Sequence, residues 1–134
     1  MSRSAALLEN LRVFFADPVN SKILLDVLDH KCGVSLRSLE SFVTRKENVT
    51  YTTKTGKTFV VHVAYKSSLV GYSKKLFDPF CRTERIEFQI GDRNLTTTVA
   101  QLNFIKWCIV NEVIDYLRKA KPLEECSSPR KISV

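Results

Sequence analysis

The spacing of apolar residues changes near residue 48, and this change limits the folds that the chain can adopt. Before it, apolar residues recur every three or four positions, which predicts helices. After it, β-branched and aromatic residues gather in short runs, which is typical of strands. Helical spacing returns from Val99 to Leu117. We therefore expect an α+β fold with N-terminal helices, antiparallel hairpins forming a sheet, and one long C-terminal helix.

Capping and breaking residues divide the N-terminal part into three predicted helices. Asp17 and Pro18 stop the first helix, because the residue before a proline disfavours helical backbone. Gly33 is expected to end the second helix, since glycine tolerates the backbone that terminates helices. The expected bounds are Ser2 or Ser4 to Asp17, Asn20 or Ser21 to Gly33, and Ser35 to Val43.

A first hairpin is predicted after these helices. Its two runs are rich in β-branched and aromatic residues, and Gly56 suits the turn between them. Alternation in the second run would place Val61, Val63 and Tyr65 on one face of a covered sheet. The expected strands are residues 49–53 and 58–65, joined by the turn at residues 54–57.

A short helix and a second hairpin are predicted next. The helix rests on the spacing of Leu69, Tyr72 and Leu76, although Gly71 weakens it. The hairpin rests on strict alternation before a glycine-containing turn. The expected bounds are 66–75 for the helix, 85–90 and 95–97 for the strands, and 91–94 for the turn.

The last predicted element is a single long helix. Thr98 and Gln101 have the spacing of a capping box, and Pro122 ends the helical pattern. Residues 122–134 lack apolar periodicity, which predicts a flexible basic tail. We therefore expect residues 1–121 to form a single α+β domain.

The net charge of +7 is concentrated in the middle of the chain. Residues 45–93 hold ten Lys and Arg against five Asp and Glu, whereas residues 1–44 hold five of each class. Such an excess is expected where one surface meets a polyanion. A soluble protein with a high isoelectric point is the plainer interpretation. No apolar run approaches the roughly 20 residues of a membrane span, so no membrane partner is expected.

Signals for catalysis and metal binding are weak. A cysteine nucleophile needs a base within reach, and His30 and His62 form no recognisable constellation with Cys81 or Cys108. The cysteines lack the paired spacing of zinc sites and disulfide frameworks. We expect no enzyme activity, metal, cofactor or small-molecule substrate. A small enzyme that uses Cys81 or Cys108 is the third hypothesis.

Nucleic-acid signals are stronger but unspecific. The helices flanking Gly33 resemble a helix-turn-helix, yet ordinary helix packing is favoured because the third helix offers few base-reading side chains, chiefly Arg37 and Arg45. Phosphate binding requires only Lys and Arg on one surface. The candidate contacts to double-stranded DNA are Lys54, Lys57, Lys66, Lys74, Lys75, Arg82 and Arg85.

The residues around a predicted turn at Asp78 and Pro79 receive specific roles. Phe77 and Phe80 are expected to anchor this turn to the core. Core packing is likewise favoured over base stacking for most of the aromatic residues that alternate with the cations, which are Tyr51, Tyr65, Tyr72, Phe77 and Phe80. Gln101 and Asn103 are expected to satisfy backbone groups, and Trp107 to support the core or a protein contact.

Two long motifs, at residues 72–86 and 97–107, resemble those of a family encoded by large nucleocytoplasmic DNA viruses of eukaryotes, the giant viruses. The segments 35–37 and 42–44 are also similar, and the resemblance spans about residues 20–120. The family is that of non-histone, genome-organising, DNA-binding proteins. The resemblance implies viral genome organisation or compaction, and a location in the virion and in the host-cell interior, either the viral factory or the nucleus.

This chain departs from that family in its basic segments. Only Arg45 and Lys46, and later Arg130 and Lys131, stand where the family carries longer basic runs. Strong compaction by a single copy is therefore not expected, and a homo-oligomer would compensate. The alternative function is a structural virion protein or protein-interaction protein without a nucleic-acid role.

Removal of residues 123–134 should leave the fold intact, because this segment contributes no core periodicity. Thermal unfolding followed by circular dichroism checks this, with the full chain as control. Loss of a cooperative transition in the shortened chain would show that the domain extends beyond residue 121.

Overall fold

The computed structural model describes residues 3–29, 34–44, 49–81 and 83–120. Within them the chain forms seven helices and two separate two-stranded antiparallel sheets, which confirms the α+β class. The elements are α1 (Arg3–Phe15), α2 (Pro18–Leu28), α3 (Leu36–Thr44), β1 (Thr50–Thr52), β2 (Thr58–Val60), α4 (Val61–Tyr72), α5 (Lys74–Phe77), β3 (Ile86–Ile90), β4 (Arg93–Thr97), α6 (Val99–Val110) and α7 (Val113–Ala120).

The boundary between α1 and α2 lies where the sequence predicts it, but α2 begins earlier than expected. The Asp17 carboxylate accepts the backbone N–H of Val19 at 2.8 Å, and Pro18 occupies the first helical position. Proline suits that position because its φ is already helical and its missing N–H needs no partner. Asp17 is therefore the cap of α2 as well as the end of the preceding turn. Helix α2 ends at Leu28, before the predicted stop at Gly33, which lies outside the described residues.

Helix α3 confirms the prediction of a serine cap. The Ser35 hydroxyl accepts the N–H of Ser38 at 3.1 Å, and the Ser35 N–H donates to the Ser38 hydroxyl at 2.8 Å. This reciprocal pair satisfies two N–H groups that the start of a helix would leave without partners.

The predicted strand at residues 58–65 is wrong beyond Val60. Strand β2 ends there, and residues 61–72 form α4. Val61 and Tyr65 are buried four residues apart on one face of that helix, while Val63 is 60% exposed. Burial at helical spacing outweighs the β-propensity of these residues, because that propensity mostly reflects packing on a sheet face. The expected covered sheet is consequently absent from the described part of the chain, where two hairpins lie apart.

The predicted helix at residues 66–75 corresponds to the end of α4 and the start of α5. The two helices are separated at Ser73, which has a φ of 78°. A positive φ is costly for a residue with a Cβ, so the helix breaks sharply at this position. The short α5 that follows holds Lys74 and Lys75 apart from α4.

Both hairpins form at their predicted positions. Gly56, with φ of 87°, lies in the first turn, and Thr50 to Thr52 pair with Val60 to Thr58. The second turn is shorter than predicted, because Ile90 already pairs with Arg93. Only Gly91 and Asp92 remain between the strands, and the φ of 55° at Gly91 suits the first position of a type II′ turn.

The single long C-terminal helix is not observed. Helix α6 ends at Val110 and α7 begins at Val113, with Glu112 between them at a φ of 64°. The first hairpin holds this break, since the Tyr51 hydroxyl donates to the Asn111 carbonyl and the Lys54 N–H donates to the Glu112 carboxylate at 3.0 Å. These contacts join positions about 60 residues apart, so helical spacing alone cannot reveal them.

The core is built around α6. Leu102, Phe104, Ile105 and Cys108 are fully buried on several sides of this helix. Helices α1 and α5 pack against it, and α4 packs against α5. Trp107 contacts aromatic rings of α4, α5 and α6, so its predicted support of the core is confirmed. In the described ranges, no helix is long and apolar enough to cross a membrane.

The capping box of α6 is half formed. The Thr98 hydroxyl accepts the Gln101 N–H at 3.1 Å, but the Gln101 side chain turns instead to Thr97 and Pro79.

We expect Thr98→Ala to lower the free energy of unfolding by about 1 kcal/mol, the usual contribution of a helix cap. Denaturant unfolding measures this, and Thr98→Ser, which keeps the hydroxyl, is the control. Equal losses in both variants would show that the methyl group, not the cap, is responsible.

Candidate nucleic-acid interface

The segment from the start of α5 to the start of β3 carries the main group of candidate cations. We call Lys74, Lys75, Arg82 and Arg85 the basic ridge. A turn at its centre forms as predicted, because the Asp78 carboxylate accepts the Phe80 N–H at 3.0 Å and the Asp78 carbonyl accepts the Cys81 N–H at 3.1 Å. Short-range bonds of this kind hold a turn without help from a sheet.

Two amides of α6 anchor the ridge to the core. Asn103, which is 3% exposed, donates to the Leu76 carbonyl at 2.9 Å, and Gln101 donates to the Pro79 carbonyl at 3.2 Å. These bonds satisfy backbone carbonyls on both sides of Phe77, which is itself fully buried. The prediction that Gln101 and Asn103 serve backbone groups is confirmed. Hydrogen bonds from the buried helix α6 thus fix the backbone that carries the ridge.

The described ridge cations lie on the surface of the segment that this anchor holds. Lys74, Lys75 and Arg85 are exposed, while Arg82 lies outside the described residues. Lys75 lines a depression of about 430 Å³, and Arg85 lines another of about 520 Å³. Thr83 borders both depressions, so the structure brings Lys75 and Arg85 to either side of the same residue.

The hairpin cations have a different environment. The Lys54 ammonium lies 3.9 Å from the Asp115 carboxylate, and the Lys54 backbone N–H binds Glu112. Glu112, at the break between α6 and α7, and Asp115, in the first turn of α7, therefore adjoin the hairpin tip. Lys57 is exposed in the same turn, and Lys66 is exposed on α4. The structure does not place the six described candidates in one cluster.

Ion pairing divides the described cations into two groups. Arg12, Lys22 and Arg93 each have a carboxylate partner within 4 Å. Across the described residues, no such partner is found for the remaining candidates, which are Lys57, Lys66, Lys74, Lys75 and Arg85. No described carboxylate within 4 Å pairs with their positive charge, which leaves it available to an external anion.

The aromatic residues divide into a core group and one surface residue. Phe77 contacts the rings of both Tyr65 and Tyr72, as core packing predicts, and burial raises the pKa of Tyr65 to about 12. Phe80 is 43% exposed instead, so the prediction that it anchors the turn in the core is wrong. The Arg37 guanidinium lies 5.1 Å from the centre of its ring. The sequence suggests Arg37 only as a base-reading residue of α3, and no local pattern predicts its approach to residue 80.

The residues that a cysteine enzyme would use are scattered. Cys108 is fully buried, and desolvation raises the pKa of its thiol well above the ordinary value, which disfavours the reactive thiolate. Cys81 is partly exposed beside Arg85, while the His62 ring contacts the Val43 carbonyl at 3.3 Å. In the described ranges, no group of three or more His, Cys, Asp or Glu is placed to hold a metal ion. The absence of catalysis stays a prediction.

Comparison with known proteins relates the chain to giant viruses. It is 34% identical over 124 residues to a protein of Acanthamoeba polyphaga mimivirus that is named uncharacterized protein L507. The match covers 83% of this chain and 48% of the relative, so the chain spans about half the length of that protein. A family described as a family of unknown function (DUF7197) matches residues 2–129. No solved structure matches the chain.

These findings confirm one part of the expected resemblance. A homologue in a giant virus supports a viral protein, and such a protein is present in the host cell during infection. The genome-organising role, DNA binding and a location in the virion stay predictions.

Replacement of Asn103 by Leu should lower the free energy of unfolding by about 1–3 kcal/mol, because the Leu76 carbonyl loses its donor in a buried position. Denaturant unfolding measures the loss, and amide hydrogen exchange in residues 76–81 should accelerate. Asn94→Leu, at an exposed position of β4, is the matched control and should change stability by less than about 0.5 kcal/mol. An unchanged exchange rate in residues 76–81 would contradict the anchoring role.

Proposed function

Since this chain belongs to the family of unknown function DUF7197, we propose a function from its surface: non-catalytic binding of duplex DNA through its phosphates, without strong sequence preference. The proposed setting is viral genome organisation or compaction, in the virion and in the viral factory or nucleus of the host cell. The giant-virus homologue supports the viral setting. No cofactor or small-molecule substrate belongs to this proposal.

The unpaired cations above a rigid anchor carry the proposal. Lys74, Lys75 and Arg85 are exposed without a carboxylate partner in the described part of the chain, on a segment that Gln101 and Asn103 hold to the core. Because the backbone that carries these cations is already fixed, only their side chains lose conformational freedom when they meet phosphates. Counterions released from the DNA then supply the favourable free energy of binding.

The character of the cations supports binding without strong sequence preference. A lysine ammonium is a point charge that suits phosphate oxygens, whereas reading of bases requires side chains that reach the edges of base pairs in a groove. Lys74 and Lys75 lie on a four-residue helix, which is too short to lie along a groove as recognition helices do.

A protein-interaction role is the second candidate, and one observation favours it. Val63 and Val70 are 60% and 86% exposed, seven residues apart on α4, and therefore lie on one face of that helix. Exposed apolar residues on one face are typical of protein contacts. This face fits a second copy of the chain or another virion protein, and DNA binding does not require it.

Fluorescence anisotropy with labelled duplexes of unrelated sequence tests the proposed function. The affinity should fall steeply as salt rises from about 50 to 200 mM, and it should be similar for all duplexes. Polyglutamate serves as an acidic competitor without phosphates, and single-stranded RNA as a second polyanion. Binding to polyglutamate but not to DNA would favour the protein-interaction candidate, and discrimination between duplexes by several kcal/mol would indicate a specific DNA reader.

The ridge should contribute more to this binding than the hairpin tip. Replacement of all four ridge residues by Ala should reduce both affinity and salt slope, by about 0.9 in slope for each phosphate that the protein no longer neutralises. A matched comparison uses two lysines on each side: Lys74→Ala with Lys75→Ala against Lys54→Ala with Lys57→Ala. The ridge pair should have the larger effect, because Asp115 already neutralises part of the charge of Lys54. If the hairpin pair is more damaging while circular dichroism is unchanged, the contact surface is centred on the first hairpin.

A further inference from the structure

Arg37 is not among the seven candidate phosphate contacts, and it forms a pair with Phe80. Phe80 remains 43% exposed, and the Arg37 guanidinium lies 5.1 Å from its ring centre. A cation over an aromatic face is attracted by the negative charge of the ring face. The contact thus holds a long, exposed side chain of α3 close to the turn at the centre of the basic ridge.

The guanidinium keeps its hydrogen-bond donors available in this position. An aromatic ring supplies no oxygen acceptor to the N–H donors of the guanidinium, and the structure gives Arg37 no hydrogen bond or ion pair within the residues that it describes. A planar guanidinium offers five N–H donors, and its fork matches two oxygens of a phosphate or carboxylate. Among the described residues, Arg37 is therefore a positioned cation without an acidic partner.

The depression beside this pair has the character of an anion site. Phe80 and Arg85 line it, together with Thr83 and residues at the start of α6, and its volume is about 520 Å³. None of its described lining residues is acidic, whereas the depression beyond Thr83 includes Glu84. Phe80 lines this depression and contacts Arg37, and Arg85 lies in the same lining, so the ring connects the two arginines.

We propose that Arg37 and Arg85 form a two-arginine subsite for one phosphodiester of duplex DNA, with Phe80 as the residue that positions Arg37. The subsite rests on the proposed function and extends it, because it adds α3 to the contact surface of the ridge. Its chemistry suits any oxyanion. Continuity with Lys75 across Thr83 favours a polymer of phosphates over an isolated carboxylate, since neighbouring cations can then contact successive phosphates.

Three variants test the subsite by anisotropy with a labelled duplex over a salt series. Arg37→Ala should weaken binding about tenfold, because charge-assisted bonds to one phosphate are removed, and should lower the salt slope by about 0.9. Arg37→Lys keeps the charge but loses the fork, so its affinity should lie between those of the wild type and Arg37→Ala. Phe80→Leu keeps every charge and should weaken binding severalfold, since the guanidinium loses its aromatic support.

Arg12→Ala is the matched control. It removes one exposed arginine that pairs with Glu9 and lines a different depression, and it should leave affinity and slope close to wild type. If Arg37→Ala is no more damaging than Arg12→Ala while the wild type binds DNA, the subsite is wrong and the proposed function stands. If the wild type fails to bind duplex DNA at low salt, or binds only polyglutamate, both are overturned. Wild-type affinity in Phe80→Leu would overturn the positioning role of the ring.

Discussion

The burial of α6 is the constraint on which the rest of this structure depends. Apolar residues occupy several sides of this helix, and a helix that is apolar on most of its surface must be covered by other elements. Helices α1 and α5 pack on it directly, and the aromatic residues of α4 and α5 meet its Phe104 and Trp107. Asn103 is a polar side chain buried among these apolar residues, and its amide specifies where the chain after α5 must lie.

The surface chemistry follows from that anchoring. Asn103 and Gln101 hold the backbone of the turn by hydrogen bonds. The turn therefore does not need ion pairs of the ridge cations to stay in place. The hairpin tip differs, since Lys54 takes part in holding the break between α6 and α7. Exposed surface ion pairs contribute little to stability, so the important distinction is whether a cation is free to meet another molecule.

The sequence predicts more of the local structure than of the packing. Three N-terminal helices, two hairpin turns and the caps at Ser35 and Thr98 are visible in it because each depends on residues within a few positions. The strand predicted at residues 58–65 is largely replaced by α4. Val61 and Tyr65 fit the apolar spacing of a helix and also that of a strand, so only their burial shows which of these two elements forms. Arg37 is absent from the predicted phosphate contacts because α3 meets Phe80 only in the folded chain.

The sequence by itself determined the α+β class, the concentration of positive charge between residues 45 and 93, and the turn at Asp78 that divides the ridge. These properties depend on residue type and short spacing. Only the tertiary structure decided where the C-terminal helix breaks, which cations keep free charge, and that Arg37 approaches the turn of the ridge. Each of these outcomes depends on side chains that are far apart in sequence, and the geometry that joins them exists only once the core around α6 has formed.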